Sequence, residues 1–457
     1  MADWSVLPTE LLNLISQRLP ASIDLLRFRS VCATWRAAAP PPPFAAERFP
    51  ILPNSGISDT SWGFHLSKRT IYSLQSPFTD DPAWIVKLER DNPARMHLLN
   101  PLARSQFKPL PDDFPRTFSF YDLRVKELGE EYALQYINFR PTANSIGEAG
   151  NLYMEKVAVS NNPGGGFTLL TIHVSGKLVV FKSGNEKWMV IDDLPSPYDD
   201  VIFREGGFYA VDHTGRLVIV NISDLNVSLV ANPIFGGDKK FLVDSNGELL
   251  LVDMYLSVGP ADDLGFNEGF EFYEEFDCFM SERTVKFKVF KLDDNAGKWL
   301  EMTDLKERML FLGDNCTFWT SSLEIFREDK FKGNCIFFAD QYSNGESDGE
   351  WKSRGLGVFD LESGSIGPIG AHAGYSKMFW PPPDWIFSMA AIESMFSGLG
   401  SALNGGLSLF DQVSASYLIA SPDKCHYTQT KPGTFVPKVR LRHQTEHPSS
   451  ATAKLTN

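Results

Sequence analysis

The chain has 457 residues and carries 43 Lys and Arg against 57 Asp and Glu, which gives a formal net charge of −14 at pH 7. Hydrophobic residues make up 43% of the chain, enough to bury a sizeable core, so wholesale disorder is excluded. The acidic balance argues against a general nucleic-acid binder, because neutralising phosphates requires concentrated Lys and Arg.

The start of the chain lacks the features of an export signal. It has no basic segment followed by an apolar run, and no stretch reaches the roughly 18 apolar residues that spanning a bilayer requires. We therefore expect a cytoplasmic protein, a nuclear protein or both, without membrane contact. The cysteines also favour a reducing compartment. They are odd in number and form no C-x-x-C pair, which excludes a disulfide framework and a zinc ribbon. They are Cys32, Cys278, Cys316, Cys335 and Cys425.

The first 39 residues have helical periodicity. Leucine or isoleucine recurs at every fourth position from residue 7 to residue 19, and Leu14 widens the apolar stripe. Pro8 suits the first position of a helix, and Ser22 can cap a second one. A short third helical turn around Trp35 ends at a proline block. Helices this short cannot bury such a surface alone, so a partner is implied.

The same segment carries a dense motif, LPTELLNLISQRL over residues 7–19 and DLLRFRSVCATWR over residues 24–36. It resembles the F-box, whose pattern is Leu-Pro, an acid, paired Leu, then Asp-Leu-x-Arg-x-Arg-x-Val-Cys and Trp-Arg. A generic helical hairpin would not hold this spacing at fourteen positions. The matching residues are Leu7, Pro8, Glu10, Leu11, Leu12, Ile15, Asp24, Leu25, Arg27, Arg29, Val31, Cys32, Trp35 and Arg36.

The resemblance implies an F-box over residues 4–43, built from three helices. It also implies that this domain docks on a Skp-type adaptor and, through the adaptor, on a cullin. We expect the apolar stripe of the motif to make that contact. The residues of the expected contact are Leu7, Pro8, Leu11, Leu12, Ile15, Leu25, Val31, Cys32 and Trp35.

Residues 46–390 form a zone of short β-like runs broken by Gly, Asn, Asp and Pro. In one recurring plan a strand ends in Val-Phe-Lys and Lys-Trp opens the return strand, at Trp188 and at Trp299. In another recurring plan a glycine in a turn is followed closely by an apolar run, as at Gly176, Gly215 and Gly247.

Each of these hairpins has an apolar face that it cannot bury alone. Stacking hairpins around an axis buries those faces, which is the β-propeller solution. At roughly 45 residues per four-stranded blade, the zone would hold six or seven blades. Trp188 and Trp299 are then expected to pack between blades, because equivalent positions in a repeat usually do equivalent structural work.

The β zone also resembles the plant F-box-associated family of uncharacterised function, which is thought to form a β-propeller. The resemblance implies plant origin and a substrate-receptor role, without supplying a substrate. The expected fold is therefore a small all-α F-box followed by an all-β propeller, with residues 391–457 as a C-terminal extension. The segments that carry the resemblance include 191–203, 207–217, 240–252, 332–340 and 374–386.

No catalytic constellation is evident. The eight histidines form no H-E-x-x-H pair, so a metallohydrolase is not expected. His213 beside Asp212 is interpreted as a polar pair in a turn, since a dyad would need a marked nucleophile. The segment PGGGF at 163–167 lacks the Lys-Ser/Thr of a phosphate-binding loop. We expect no enzymatic activity, no cofactor and no metal.

Two charged segments leave alternatives open. Residues 262–282 hold eight carboxylates, six aromatic residues and no base. They form either a solvated loop or a recognition loop that selects a basic partner. The last 34 residues, with six Lys or Arg and one Glu, read as a largely disordered basic tail. That tail is a nuclear signal, a contact for the acidic segment or a solubilising end.

The function predicted from the sequence is that of a substrate receptor in a Skp–cullin–F-box ubiquitin ligase. The propeller would bind a substrate protein of unknown identity, and nucleic acid and membrane are not expected as partners. One alternative is a nuclear or regulatory F-box scaffold that supports no ubiquitin transfer. Another is a propeller that binds carbohydrate or acts as an enzyme, which would require convergent acids or metal ligands at the axis.

Overall fold

A computed structural model describes part of the chain. The described residues are 7–19, 22–39, 51–52, 63–92, 95–103, 111, 113–115, 123–136, 154–162, 165–173, 175–192, 195–260, 271–273, 278–326, 331, 333–339, 356–387 and 418–419. No helix within these ranges is long and apolar enough to cross a membrane. The basic tail lies outside the described residues. Of the expected extension 391–457, only a short strand at 418–419 is described.

Three short helices open the described chain: α1 (Thr9–Ser16), α2 (Ser22–Ser30) and α3 (Ala33–Ala38). Pro8 is the N-cap of α1, so it directly precedes the first helical position that was expected for it. Ser22 is the first residue of α2 and not the residue before it. Short helices occur later in the described ranges, among them α4 (Ser322–Ile325), α5 (Ala373–Ser376) and the helical residues 384–387.

The rest of the described chain is dominated by strands. The first twelve are β1 (Ile51–Leu52), β2 (Phe64–Gln75), β3 (Trp84–Asn92), β4 (Arg95–Leu99), β5 (Arg124–Tyr136), β6 (Met154–Asn161), β7 (Phe167–His173), β8 (Leu178–Lys182), β9 (Met189–Val190), β10 (Tyr198–Arg204), β11 (Gly207–Asp212) and β12 (Leu217–Val220). The others are β13 (Val227–Ala231), β14 (Lys239–Ser245), β15 (Glu248–Pro260), β16 (Glu271–Tyr273), β17 (Cys278–Asp293), β18 (Lys298–Met302), β19 (Arg308–Leu312), β20 (Thr317–Ser321), β21 (Cys335–Ala339), β22 (Leu356–Asp360), β23 (Ile366–Pro368) and β24 (Leu418–Ile419).

These strands form four sheets. The largest has the order β24-β4-β3-β2-β5-β6-β7-β8-β9, with β1 beside β2, and the second is the antiparallel meander β10-β11-β12-β13. The third contains β14, β15, β17 and β18, with β16 also paired to β17. The fourth has the order β20-β19-β21-β22-β23, and its β19 and β21 are parallel. No sheet closes on itself within the described ranges.

The inner strands touch one another in a closed order. β5 contacts β6, β6 contacts β10, β10 contacts β14, β14 contacts β20, and β20 contacts β5 again. Each inner strand begins a group of strands that runs outward, so the described residues hold five such groups around one axis. This arrangement is that of a propeller. The predicted count of six or seven blades is not confirmed.

Apolar clusters fill the spaces between neighbouring groups. The last group packs against the first through Phe311 and Phe337 on one side and Ile71 and Ile85 on the other. Trp188 joins a cluster that includes Phe64, its ring centroid 5.9 Å away. The indole nitrogen of Trp299 donates to the backbone oxygen of Gly215 at 2.9 Å. Both tryptophans therefore pack between groups, as the repeat predicts.

The turn glycines adopt the conformation that the repeat requires. Gly176, Gly215 and Gly247 have φ of 78°, 81° and 78°, in the left-handed region that favours glycine. A Cβ at Gly215 would lie 2.8 Å from the backbone oxygen of Ile234, so a larger residue is also excluded sterically.

The acidic segment 262–282 is not wholly a loop. β15 continues to Pro260, β17 begins at Cys278, and Glu271 of β16 lies opposite Met280 of β17. The described parts thus extend the third sheet, which corrects the expectation of a simple loop between two strands. Residues 262–270 and 274–277 lie outside the described ranges.

Candidate functional site

The three N-terminal helices enclose a small core of their own. Its buried residues are Leu12, Phe28, Ala38 and Ala39. The rings of Phe28 and Trp35 lie 4.6 Å apart, which joins α2 to α3. Arg29 also donates from Nη1 to the backbone oxygen of Arg36 at 3.0 Å. This unit is therefore internally packed although it is very small.

Apolar side chains remain outside that core. Leu11, Leu14, Ile15 and Val31 are between 39% and 56% exposed. The first three lie at positions i, i+3 and i+4 of α1, so they share one face of the helix. Val31 directly follows α2. Large apolar residues grouped on a small surface are typical of an interaction site.

The structure divides the nine residues of the expected adaptor contact. Pro8, Leu11, Ile15 and Val31 are exposed. Leu7, Leu25, Cys32 and Trp35 are partly buried, and all of these except Cys32 pack against the core. Leu12 is fully buried and packs inside the unit, and its expected role in the adaptor contact stays a prediction. Leu14 was missing from the expected set, although its place three residues after Leu11 predicts a shared face.

A second candidate site is a buried cluster of charges around Glu131 of β5. Its Oε1 accepts from the Arg69 guanidinium at 2.8 Å and from the Asn315 amide at 3.2 Å. Its Oε2 accepts from Lys87 at 2.9 Å and from the Cys316 thiol at 3.4 Å. Asn315 and Cys316 belong to the turn between β19 and β20, so Glu131 joins the first group of strands to the last.

The electrostatics of this cluster keep Glu131 ionised. Burial alone would raise the pKa of the carboxyl group, but the Lys87 ammonium and the Arg69 guanidinium hold that pKa at about 2. Burial beside this carboxylate raises the pKa of the Cys316 thiol well above its ordinary value. A protonated thiol is a poor nucleophile, so Cys316 is suited to a structural role.

Further polar bonds join the inner strands. Lys156 of β6 pairs with Asp200 of β10 at 2.6 Å. Asp200 also accepts from the backbone N–H of Leu242 in β14 at 2.7 Å, and Thr317 of β20 donates to the backbone oxygen of Leu242. No sequence motif marks these residues. The available signal was that Lys156 and Asp200 each directly precede an apolar run of their strand, Val-Ala-Val and Val-Ile-Phe.

The described residues near the axis do not form a metal centre. No group of three or more His, Cys, Asp or Glu that could hold a metal ion occurs within the described ranges. His213 lies 3.4 Å from the carboxylate of Asp199, not of its neighbour Asp212. Asp212 instead accepts from the backbone N–H groups of Thr214 and Arg216, which shapes the turn. The acidic partner of His213 is therefore Asp199 and not the expected Asp212.

One titratable group lies where the helices approach the propeller. Burial raises the pKa of Glu127 in β5 to about 7, with repulsion from Glu130 adding to the shift. Lys68 opposes the shift, and Asp24 of α2 reinforces it. The carboxyl group of Glu127 is therefore partly protonated at neutral pH, unlike an ordinary glutamate with a pKa of 4.5.

We expect Glu127→Gln to raise the melting temperature at pH 8 and to leave it almost unchanged at pH 4. Below pH 4.5 the folded and unfolded chains are both protonated at this group. As the pH rises from 4.5 to 7 the unfolded chain loses its proton first, so wild-type stability falls across this window. The gain at pH 8 should be on the order of 2 kcal/mol. Glu186→Gln, at an exposed glutamate, is the control, and an equal gain at both pH values would contradict the expectation.

Comparisons with known proteins agree with both parts of the fold. Residues 4–44 match the F-box domain, and residues 63–360 match a family described as KIB1-4 beta-propeller. F-box protein SKIP23 of Arabidopsis thaliana is 46% identical over 86% of this chain and 98% of the relative. F-box protein At2g17036 of the same plant is 38% identical over 84% of this chain and 95% of the relative. A putative F-box protein, At5g60060, is 31% identical over 79% and 94%.

Proposed function

The chain belongs to the F-box proteins that carry a KIB1-4 β-propeller, and on that basis we propose that it is a substrate receptor of a Skp–cullin–F-box ubiquitin ligase. F-box proteins of this kind generally act as such receptors. In this chain the three helices would bind a Skp-type adaptor, and through it a cullin, while the propeller would bind a substrate protein.

The observation that carries the proposal is the exposed apolar face of α1, formed by Leu11, Leu14 and Ile15. An isolated unit of this size gains stability when such a face is covered. An interface with an apolar centre and a polar rim fits this face, because charged and polar residues surround it on α1. The F-box family of the chain supports a Skp-type adaptor as the protein that covers this face.

The proposed role requires no reacting group from this chain. The receptor would hold a substrate lysine near a ubiquitin-conjugating enzyme, and the rate would increase because the lysine is kept at a high effective concentration. The helices contact the propeller where β5 begins. The opposite end of the axis, where β6, β10 and β14 begin, is proposed as the substrate end. Adaptor and substrate would then not compete for one surface.

We expect Leu11→Arg to abolish co-purification with a Skp-type adaptor. The change places a charge in an apolar interface, which costs at least about 2 kcal/mol, or a roughly thirtyfold loss of affinity. Because the Leu11 side chain is half exposed in the free chain, the variant should keep its melting temperature. Titration calorimetry with the purified adaptor measures the loss.

The matched control is Leu300→Arg, at a leucine of β18 that is exposed to a similar degree. This variant should bind the adaptor like the wild type. A folded Leu11→Arg variant with wild-type affinity would contradict the proposed docking surface. Reconstituted ubiquitination with candidate substrates separates a receptor from an F-box scaffold that supports no transfer.

Two finer expectations stay proposals. We propose that the protein acts in the cytoplasm, the nucleus or both, which fluorescence imaging of a tagged chain would test. The second proposal concerns the number of propeller blades. The expectation from chain length is six or seven, whereas the five described groups with their closed order of contacts favour a smaller number. An experimental structure of the whole propeller would decide between these counts.

A further inference from the structure

Among the described residues, an arginine of α2 bonds the helical unit to the propeller. Arg27 donates from Nη2 to the backbone oxygen of Leu123 at 3.0 Å and from Nη1 to the backbone oxygen of Val125 at 3.4 Å. These two carbonyl groups lie at the beginning of β5. Nη1 is also 3.3 Å from the carboxylate of Asp24, one turn earlier on the same helix. Asp24 therefore helps to orient the guanidinium towards the propeller.

The apolar cores on the two sides of this contact are separate. The cluster around Leu12 and Phe28 contains only residues of the helical unit. The cluster that includes Leu123 and Val125 contains only residues of the propeller domain, among them Trp84 and Trp385. Arg27 thus connects two bodies that share no apolar cluster in the described part of the chain.

The chemistry of the contact suits an arginine. A guanidinium presents several donors in a rigid plane, so it can hold two carbonyl oxygens at once and fix an angle as well as a distance. A lysine at this position would offer a single ammonium on a flexible stem. The contact is therefore a directional bond between the two bodies and not a diffuse attraction.

We propose that Arg27 is a positioning residue that fixes the F-box on the propeller, so that the adaptor end and the substrate end of the receptor keep one relative orientation. The meaning of that orientation rests on the proposed function, because proximity catalysis is sensitive to small displacements of the reacting group. The contact leaves the exposed face of α1 unused, since Arg27 lies on α2. Adaptor binding and this contact can therefore coexist.

The test measures the orientation directly in the full-length chain. Donor and acceptor dyes are attached through non-canonical amino acids at Gln17 and Asn185, two exposed positions in the helical unit and in the propeller. Single-molecule energy transfer should give one narrow distribution for the wild type. Arg27→Ala should broaden or shift that distribution, and Arg27→Lys should have a smaller effect. Arg18→Ala, at an exposed arginine of the same unit, should match the wild type.

Adaptor affinity provides the second measurement. Arg27→Ala should keep the wild-type affinity, which shows that the helical unit is still folded. An unchanged narrow distribution in Arg27→Ala would overturn the proposal. Loss of adaptor binding in Arg27→Ala would also overturn it, because the residue would then act within the helical unit itself. Failure of the proposed function is distinct, since it would show as normal adaptor binding by Leu11→Arg.

Discussion

Glu131→Gln should lower the free energy of unfolding by about 3–5 kcal/mol, because the change leaves the buried Lys87 without a countercharge and leaves Arg69 with Glu89 as its remaining carboxylate partner. The carboxylate is fully buried and also accepts from Asn315 in the last group of strands. Its loss therefore weakens both the interior of the first group and the joint between the first and the last. Urea denaturation followed by circular dichroism measures the effect.

A matched control is available at Glu248. This carboxylate also holds two cations, Lys291 and Arg308, but it is one-third exposed. Glu248→Gln should cost no more than about 1 kcal/mol, because solvent screens an exposed pair. Equal losses of unfolding free energy in the two variants would contradict the claim that burial of Glu131 makes its ion pairs more costly to break.

The Glu131 carboxylate also makes the stability of the fold depend on pH in the acid range. The pKa of Glu131 is about 2 in the folded chain against an ordinary value of 4.5. Its contribution to stability is present above pH 4.5 and is lost as the pH falls towards 2. The stability difference between the wild type and Glu131→Gln should therefore narrow across this window.

Phe311→Ala should destabilise the propeller by about 3–5 kcal/mol, through lost burial and the cavity that remains. The ring is fully buried and stacks on Phe318 at 4.7 Å and on Phe337 at 4.8 Å between ring centroids. It belongs to the cluster that packs the last group of strands against the first. Denaturant unfolding gives the loss, and Phe78→Ala, at a largely exposed ring, is the control. A loss below about 1 kcal/mol at Phe311 would contradict its assigned place in the core.

The sequence predicted the features that depend on local pattern. The helical stripe from Leu7 to Leu19, the turn glycines such as Gly215 and the packing role of Trp299 all follow from spacing within a short segment. The F-box motif is equally local, which is why the general position of the exposed apolar face could be predicted.

The features that depend on distant contacts could not be predicted. The stripe of α1 is wider than one face, so spacing alone did not distinguish buried Leu12 from exposed Leu14. Glu131 is paired by residues from β2, β3 and the turn after β19, and no local pattern brings these together. The number of blades depends on the lengths of the segments between strands, which the periodicity of the sequence does not reveal.

The closed order of the strand groups has a consequence for folding during synthesis. The first group completes its packing only with the last: the Trp84 indole donates to the backbone oxygen of Phe379, and the Ile85 amide donates to that of Met378, both at 2.7 Å. The apolar surface of β2 and β3 therefore stays uncovered until almost the whole domain has left the ribosome. Contacts this distant along the chain slow folding and expose intermediates to aggregation. A chain truncated before β19 should accordingly require a chaperone to stay soluble, which pelleting of nascent-length fragments would measure.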